Sequence, residues 1–388
     1  MARLSGRDPS LLRRINSTAV LRVLRSHFGR APLTLTDLAH ATELSRPTVE
    51  GVIEGLVDAG LATEAGEEQP GGAEHAARRG RPARRFRFRA EAGHAIGVEI
   101  GAHRIAAVVS DLTGEIAGSV TQDVEEDAPA AERLAQAHTT VAELIRVNAV
   151  DCGSLRAVGV GTPGIVEADG TVRLSTALPG WTGLALGEKL RETAFGCPVI
   201  VENDANSAVV AERWQGAAEG AQDVVMVLVG LSPGAGSLIG GRLHRGFGGA
   251  AGEIGALHLL GREATPERLL STTDEPLHPL DETAVARVFA LARAGDERAE
   301  RAVERFVQRL VHDVAALVLA LDPELVVIGG WASGLDDVLG PLRAELERYC
   351  LRPPRVALSV LGESAVATGA LRLALDEVES ELFSVRLD

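Results

Sequence analysis

Apolar residues recur at helical spacing in three segments near the amino terminus. They predict three helices, over residues 16–28, 35–41 and 46–56. Thr34 and Asp37 have the spacing of a capping box for the second helix, and Ser45 precedes the third as an N-cap. Two short helices joined by a tight turn are typical of a helix-turn-helix, although a small helical packing module is the alternative.

The third helix begins with small polar residues and an arginine, as a helix that enters a DNA major groove often does. The residues expected to face the groove are Ser45, Arg46 and Thr48. Residues 60–63 and 86–89 predict the two strands of a wing, and between them lies a basic arm with Arg78, Arg79 and Arg81. A solvated charge run is the alternative for this arm. Its position beside a helix-turn-helix favours contact with DNA phosphates.

Beyond residue 90 the pattern changes to buried strands separated by helices, in two halves. The first half has predicted strands over residues 95–101, 104–111, 115–124 and 156–161, and a helix over residues 131–147. The second half has predicted strands over residues 223–230, 236–242 and 325–330, and a long helical region over residues 284–321. Each half starts with a strand pair around a glycine turn. The pattern predicts an α/β body with an internal duplication.

Polar residues follow one buried strand, residues 198–201, where the next helix begins. They are Glu202, Asn203 and Asp204. Because ligands bind beyond the carboxyl ends of strands in open α/β sheets, Asp204 is a candidate base for a substrate hydroxyl, and Asn203 a candidate to orient that hydroxyl. The alternative is that Asp204 only caps the helix that follows.

Charge is distributed unevenly along the 388 residues. The first 90 carry 15 arginines and 10 acidic residues, a net charge of +5, and the rest carries −20, which together give the formal net charge of −15. A basic first segment on an acidic body permits phosphate binding at the amino terminus and makes the body a poor surface for nucleic acid.

The composition also indicates where the protein is expected in the cell and whether it carries a disulfide or zinc site. No apolar run approaches the ~20 residues of a membrane span, and the amino terminus lacks the apolar core of a signal peptide, so we expect a cytoplasmic protein without membrane contact. The three cysteines are far apart in the sequence, at positions 152, 197 and 350. This spacing predicts neither a disulfide framework nor a zinc cluster.

A series of motifs extends over residues 12–375. In order, they are the winged helix, a GRP arm, VGVEIG, VGVGTPG, LPGW, VENDAN, AAGEIG and VVIGG. This order resembles the ROK family (repressors, open reading frames and sugar kinases), and in particular its transcriptional regulators. The resemblance implies an α/β chain in which a winged helix-turn-helix domain, residues 1–90, precedes a two-lobed actin-like ATPase body, residues 91–388. The lobes are expected over residues 91–205 and 206–388, with sugar and nucleotide between them.

The phosphate loops depart from the family pattern. The first loop is DxGxT in the family's kinases, and here Glu99 replaces the aspartate and His103 the threonine. The second is GTGxGxG, and here Pro233 removes one backbone N–H that would approach phosphate. Because phosphoryl transfer depends on positioning and charge stabilisation, the departures predict two degenerate loops and no kinase activity. Asp204, which matches the family's catalytic base, is then vestigial.

The sugar side is retained in part. The resemblance implies that Asn203, Asp204 and Glu253 contact sugar hydroxyls. Alanines replace the family's histidine after the glutamate and its asparagine before the Pro-Gly-Trp turn, at Ala256 and Ala177, and His258 is a conceivable partial substitute for the histidine. The family's cysteine-rich zinc loop is missing, so we expect no metal and no cofactor.

The sequence thus predicts a DNA-binding transcriptional regulator, a repressor of carbohydrate-related genes, with a non-catalytic kinase-like effector domain. Its expected partners are a double-stranded DNA operator and a sugar or sugar-phosphate effector. A homodimer or dimer of dimers is expected, with the amphipathic helix over residues 300–321 as a contributor to the interface. The alternatives are an active sugar kinase with a regulatory DNA-binding domain, and a module whose winged helix contacts protein.

Overall fold

A computed structural model describes residues 9–65, 83–193, 196–229, 233–256, 266–273, 275, 277, 282–330 and 338–383. The chain divides into two compact units. Unit 1 comprises residues 1–94, 110–115 and 375–388, and unit 2 comprises residues 95–109 and 116–374. The predicted boundary between a domain of residues 1–90 and a body of residues 91–388 stays a prediction. No helix in the described part of the chain is long and apolar enough to cross a bilayer.

Unit 1 contains three helices and a small antiparallel sheet. The helices are α1 (Pro9–Ser26), α2 (Leu35–Thr42) and α3 (Arg46–Asp58). The strands are β1 (Leu33–Thr34), β2 (Ala62–Ala65) and β3 (Arg85–Phe88), in the order β1-β3-β2. Phe86 and Phe88 are buried and Arg85 and Arg87 are exposed, the alternation of a strand with one face in the core. These elements form a winged helix-turn-helix.

The ends of these helices follow local sequence signals. Thr34 and Asp37 form the predicted capping box, with Asp37 N donating to Thr34 Oγ1 at 3.2 Å and Thr34 N donating to Asp37 Oδ2 at 2.9 Å. Helix α1 differs from its prediction over residues 16–28, because it starts at Pro9 and ends at Ser26. Proline is tolerated in a first helical turn, and Gly29 adopts a left-handed φ of 75° beyond the end.

Two five-stranded sheets form the centre of unit 2. The first sheet contains β4 (His94–Ile100), β5 (Arg104–Asp111), β6 (Ile116–Asp123), β7 (Leu155–Thr162) and β10 (Val199–Asn203), in the order β10-β7-β4-β5-β6. The second contains β11 (Val224–Val229), β12 (Gly234–Ile239), β13 (Arg242–Leu243), β14 (Leu325–Gly330) and β15 (Arg355–Leu358), in the order β13-β12-β11-β14-β15. A short hairpin of β8 (Ile165–Val166) and β9 (Val172–Leu174) follows β7. Both sheets place their strands in the same order relative to the chain, which agrees with the predicted duplication.

The remaining helices pack on these sheets. They are α4 (Ala130–Val147), α5 (Leu186–Thr193), α6 (Asp204–Gln215), α7 (Pro266–Leu269), α8 (Glu282–Arg293), α9 (Glu297–Leu321), α10 (Leu339–Tyr349) and α11 (Ala365–Phe383). The predicted helical region 284–321 is two helices, because Gly295 has a φ of 85° and Asp296 caps α9 through the N–H groups of the next turn. The apolar face of α9, with Phe306, Leu310 and Val314, is buried in the core beside the second sheet. Its own chain therefore covers this face, and the expected contribution of the helix to a dimer interface stays a prediction.

Helices α6 and α11 meet between the two sheets. A side chain at Gly159 of the first sheet would collide with the carbonyl of Ala370, so α11 lies directly on that sheet. A side chain at Gly369 would collide with the carbonyl of Ser207 in α6. The packing of α11 on the first sheet groups it with the first lobe. The sequence had predicted it in the second lobe, over residues 206–388. This crossing places the start of α6 between the sheets.

Candidate functional site

The carboxyl end of β10 passes directly into α6. Asn203 is the N-cap of this helix, since its Oδ1 accepts from Asn206 N at 3.1 Å. Its Nδ2 donates to the carbonyl of Gly164 at 3.0 Å, which ties the cap to the turn after β7. The helix therefore starts at Asp204. Capping alone does not account for Asp204, because Asn203 is the cap.

Glu202 fixes the geometry of this junction. Its buried carboxylate accepts from the N–H of Asn203 and from Nδ2 of Asn206 through Oε1, both at 2.9 Å. Through Oε2 it accepts from Arg245 Nε at 2.6 Å. The sequence pattern placed Glu202 beside Asn203 and Asp204 at the end of the strand and gave it no role of its own. The available signal was a charged residue at the end of an otherwise apolar strand.

The segment after Arg245 brings Glu253 to the same place. Gly252 has a φ of 89°, and its carbonyl accepts from Ala235 N at 2.8 Å, so the segment lies against β12. Burial raises the pKa of the Glu253 carboxyl, and the negative charge of Asp204 raises it further. The structure thus groups Asn203, Asp204 and Glu253, which we call the predicted sugar site. Their contact with a sugar stays a prediction.

The Asp204 carboxyl has a raised pKa, and its charge affects the pKa values of neighbouring carboxyl groups. Burial raises the pKa of its carboxyl, and hydrogen bonds from the backbone and from Asn203 act in the opposite direction. One of these is the N–H of Ala205, which donates to Asp204 Oδ1 at 2.8 Å. The charge of Asp204 also acts on Glu99, at the end of β4. Three carboxyl groups with raised pKa values therefore share one region.

Glu99 belongs to the first of the two phosphate loops that the sequence predicts to be degenerate, and its carboxylate pairs with Arg104, which follows that loop. Burial raises the pKa of Glu99 to about 7, against the opposing effect of Arg104. Arg104 Nη2 lies 3.2 Å from Glu99 Oε2, and Arg104 Nη1 lies 2.7 Å from Glu363 Oε2. Arg104 Nη2 also donates to the carbonyl of Glu363 at 2.8 Å. The carboxylate of Glu99 is therefore paired with an arginine of the protein. The sequence pattern did not identify this arginine as its partner.

The buried guanidinium of Arg133 binds the backbone of the same loop. Arg133 of α4 donates to the carbonyls of Gly101 and Ala102 at 2.6 and 2.9 Å. It also donates to the carbonyls of Glu125 and Glu126 at 2.9 and 3.1 Å. Burial lowers the pKa of this guanidinium. The loop backbone is thereby fixed through its carbonyl oxygens.

The second loop and the zinc region are described only in part. Pro233 is present at the start of β12, whereas residues 230–232 lie outside the described residues. His258 and residues 261–265, the position of the zinc loop in the family's kinases, also lie outside the described residues. For Ala256 only the backbone is described. Within the described residues, no group of three or more His, Cys, Asp or Glu side chains is placed to hold a metal ion.

The predicted DNA-contacting residues fall into two groups. Ser45 caps α3, with Thr48 N donating to its Oγ at 3.3 Å, and the two hydroxyls lie 2.7 Å apart. Arg46 is exposed at the first position of the helix. The arm residues Arg78, Arg79 and Arg81 lie outside the described residues. The hydroxyls of Ser45 and Thr48 are therefore engaged in capping, and Arg46 is the exposed charge of its group.

Two sequence profiles of known families match the chain. The ROK family profile matches residues 95–377. The IclR helix-turn-helix domain profile matches residues 16–66. Together they extend over the two parts that the motifs predicted.

Similar proteins include regulators and kinases. The xylose repressor of Caldicellulosiruptor bescii is 23% identical over 402 residues, covering 96% of this chain and 98% of the repressor. A glucokinase of Halalkalibacterium halodurans is 32% identical over 246 residues, covering 55% of this chain and 74% of the glucokinase. Among solved structures, a ROK family transcriptional regulator described as a homologue of the E. coli MLC protein matches with a TM-score of 0.69 at 21% identity, covering 94% of this chain and 97% of that one. The fold is thus shared over nearly the whole length.

Proposed function

Because this chain belongs to the ROK family and carries an IclR-type helix-turn-helix at its amino terminus, we propose that it is a DNA-binding transcriptional repressor with a sugar-sensing body. The observation that carries the proposal is the extent of the similarity. Similarity to a repressor covers 96% of the chain, whereas similarity to a glucokinase covers 55% of it. A regulator accounts for both parts of the chain along its whole length, as the match to the repressor does.

The DNA-binding part is assigned to α3 and the wing. Arg46 stands exposed at the start of α3, where a recognition helix presents residues to the major groove. Ser45 and Thr48 fix the start of this helix through their mutual hydrogen bond, and they approach DNA with it. The arm residues Arg78, Arg79 and Arg81 are assigned to phosphates, whose contacts supply most of the affinity of such proteins.

The body is assigned as a sensor without kinase activity. Phosphoryl transfer requires donors that neutralise the charge of the transferred phosphate. The first loop instead presents the carboxylate of Glu99, which pairs with Arg104. Pro233 removes a donor from the second loop. The residues present therefore do not fit a nucleotide phosphate, and no step is assigned to Asp204 as a base.

The effector is assigned as a neutral pentose or hexose. Asn203, Asp204 and Glu253 present carboxylate and amide groups, which pair with sugar hydroxyls. The raised pKa values of Asp204 and Glu253 reflect a cost of placing negative charge here. A sugar phosphate would add to that cost. The names of the similar proteins, a xylose repressor and a glucokinase, suggest D-xylose and D-glucose as the first probes.

An electrophoretic shift assay with the chain's own promoter region tests the DNA-binding part. We expect binding that weakens steeply with salt, and an Arg46→Ala variant that binds about tenfold more weakly, as expected for loss of a good base or phosphate contact. Arg146→Ala is the matched control, because Arg146 is an exposed arginine of the body. Binding without salt dependence, or equal losses in the two variants, would contradict the proposal.

Release of the DNA by D-xylose or D-glucose tests the sensor.

The glucokinase similarity and the retained Asp204 favour one alternative, an ATP-dependent sugar kinase. A coupled assay of ADP release over a panel of hexoses and pentoses tests it. We expect no turnover above background. Turnover that is lost in Asp204→Asn would overturn the assignment of a non-catalytic body and leave the DNA-binding part untouched.

A further inference from the structure

A groove lies at the edge of the second sheet, between α10 and the chain that leads into β15, the last strand of that sheet. Its volume is about 490 Å³, within the range of roughly 300 to 1,000 Å³ that binding clefts have. The lining includes the charged residues Arg343, Glu347 and Arg355 and the rings of Pro353 and Pro354. None of these residues belongs to the predicted sugar site at the start of α6, and the sequence pattern gave them no role.

The charge of this region is opposite to that of the body around it. Residues 339–358, which comprise α10 and β15, carry four arginines and two glutamates, a net charge of +2, whereas the chain beyond residue 90 carries −20. Arg343 donates to the neutral carbonyl of Val356 at 2.6 Å. Arg348 and Arg355 face glutamates of their own chain at 3.9 and 3.7 Å, and their side chains are largely exposed. Since long, exposed ion pairs contribute little, these positive charges remain available to an acidic partner.

Two large side chains between the groove residues of α10 and those of β15 are exposed to solvent. Tyr349 is 56% exposed and Leu351 is fully exposed. The guanidinium of Arg348 lies over the Tyr349 ring, 5.3 Å from its centroid. Exposed apolar side chains among charged ones are typical of protein-interaction sites, in which tyrosine and arginine are enriched. Because these residues lie outside the lining of the groove, the surface extends beyond what a small molecule in the groove would cover.

We propose that residues 343–358 form a docking surface for an acidic segment of a partner protein, with an apolar side chain of that segment packed on Leu351 and Tyr349. The carboxylates of the segment pair with the arginines, whose guanidinium groups bind carboxylates in a bidentate geometry. An acidic partner is attracted by this surface and repelled by the acidic remainder of the body, so the charges direct docking to this place. The inference does not depend on the proposed DNA and sugar sites.

Fluorescence anisotropy of labelled peptides with the full chain tests the inference. The probes are acidic peptides of the form DEDEXEDED, in which X is Leu, Phe or Trp, and the basic analogue KRKRLKRKR. We expect an acidic peptide to bind with an affinity that falls with salt. The double variant Arg348→Glu with Leu351→Ser should bind it about tenfold more weakly, which corresponds to about 1.4 kcal/mol. Arg146→Glu with Val147→Ser, at the end of α4, is the matched control and should bind like the wild type.

The control is closely matched to the test variant. The side chains of Arg146 and Arg348 are 73% and 68% exposed, and each lies near a glutamate three residues earlier in its helix. Val147, like Leu351, is an exposed apolar residue at the end of its helix. Because all four side chains are exposed, the thermal midpoints of both double variants should equal that of the wild type.

The inference is overturned if every acidic peptide fails to bind, if the basic analogue binds as tightly, or if the two double variants have equal affinity. Displacement of the peptide by free glutamate would also overturn it, since the groove would then be a site for a small carboxylate. Sedimentation adds a further outcome against it. A wild-type mass that rises with concentration, and that the Arg348→Glu with Leu351→Ser variant does not show, would mean that a second copy of this chain occupies the surface.

Discussion

Replacing Glu99 by glutamine should remove a pH-dependent loss of stability. Burial raises the pKa of the Glu99 carboxyl from an ordinary value of 4.5 to about 7, and the charges of Asp204 and Glu363 add to this effect. Arg104 opposes it without cancelling it. The folded chain therefore binds the Glu99 proton more tightly than the unfolded chain does. Glutamine keeps the size of the side chain and cannot ionise.

The sign and size of the effect follow from linkage. Between pH 4.5 and 7 the folded state holds more protons on Glu99 than the unfolded state, so the free energy of unfolding falls as the pH rises. Stability from this group is fully present below the lower pKa and lost above the higher one. A pKa difference of about 2.5 corresponds to a loss of roughly 3 kcal/mol over this window.

Urea denaturation at pH 5 and pH 8, followed by the fluorescence of the buried Trp181, measures this loss. We expect the wild-type chain to lose about 2 to 3 kcal/mol more than Glu99→Gln between the two pH values. Glu167→Gln, which removes an exposed carboxylate, should behave like the wild type. Equal pH dependence in wild type and Glu99→Gln would refute the reasoning, because it would mean that Arg104 fully compensates the buried charge.

Two further substitutions test the internal packing of unit 1 and of unit 2. Ser45→Ala removes the N-cap of α3 and the partner of the Thr48 hydroxyl, and should lower the stability of unit 1 by about 1 kcal/mol in denaturation experiments. Gly159→Ala drives a methyl group into the carbonyl of Ala370 and should destabilise unit 2 by about 1 to 3 kcal/mol. Gly51→Ala is its control, since open space surrounds this helical glycine and alanine favours the helix by up to about 1 kcal/mol.

Much of the fold could be predicted because its signals are local. The capping box of Thr34 and Asp37, the alternation around Phe86 and the apolar strands of both halves each lie within a few residues. The errors have a common origin. The break at Gly295 lies inside a region of continuous helical pattern, and the return of α11 to the first sheet is a matter of packing between distant segments.

The same distinction separates the parts of the site that could be predicted from those that could not. Asn203 and Asp204 stand at a strand-to-helix junction, which the sequence pattern locates. The partners of the charged groups are distant in sequence: Arg245 pairs with Glu202, and Arg104 connects Glu99 to a residue far along the chain. Patterns of spacing do not pair such residues.

The charges of the site bear on what it binds. Burial raises the pKa values of Glu99 and Glu253, and the charge of Asp204 raises both further, so the three carboxyl groups lie within electrostatic reach of one another. A phosphate would bring more negative charge into this region, where each carboxyl group is already costly to ionise. A neutral polyol instead donates hydroxyls to the carboxylates and stabilises their charged forms. The retained acids and the altered phosphate loops thus both support the proposed ligand class, a sugar without phosphate.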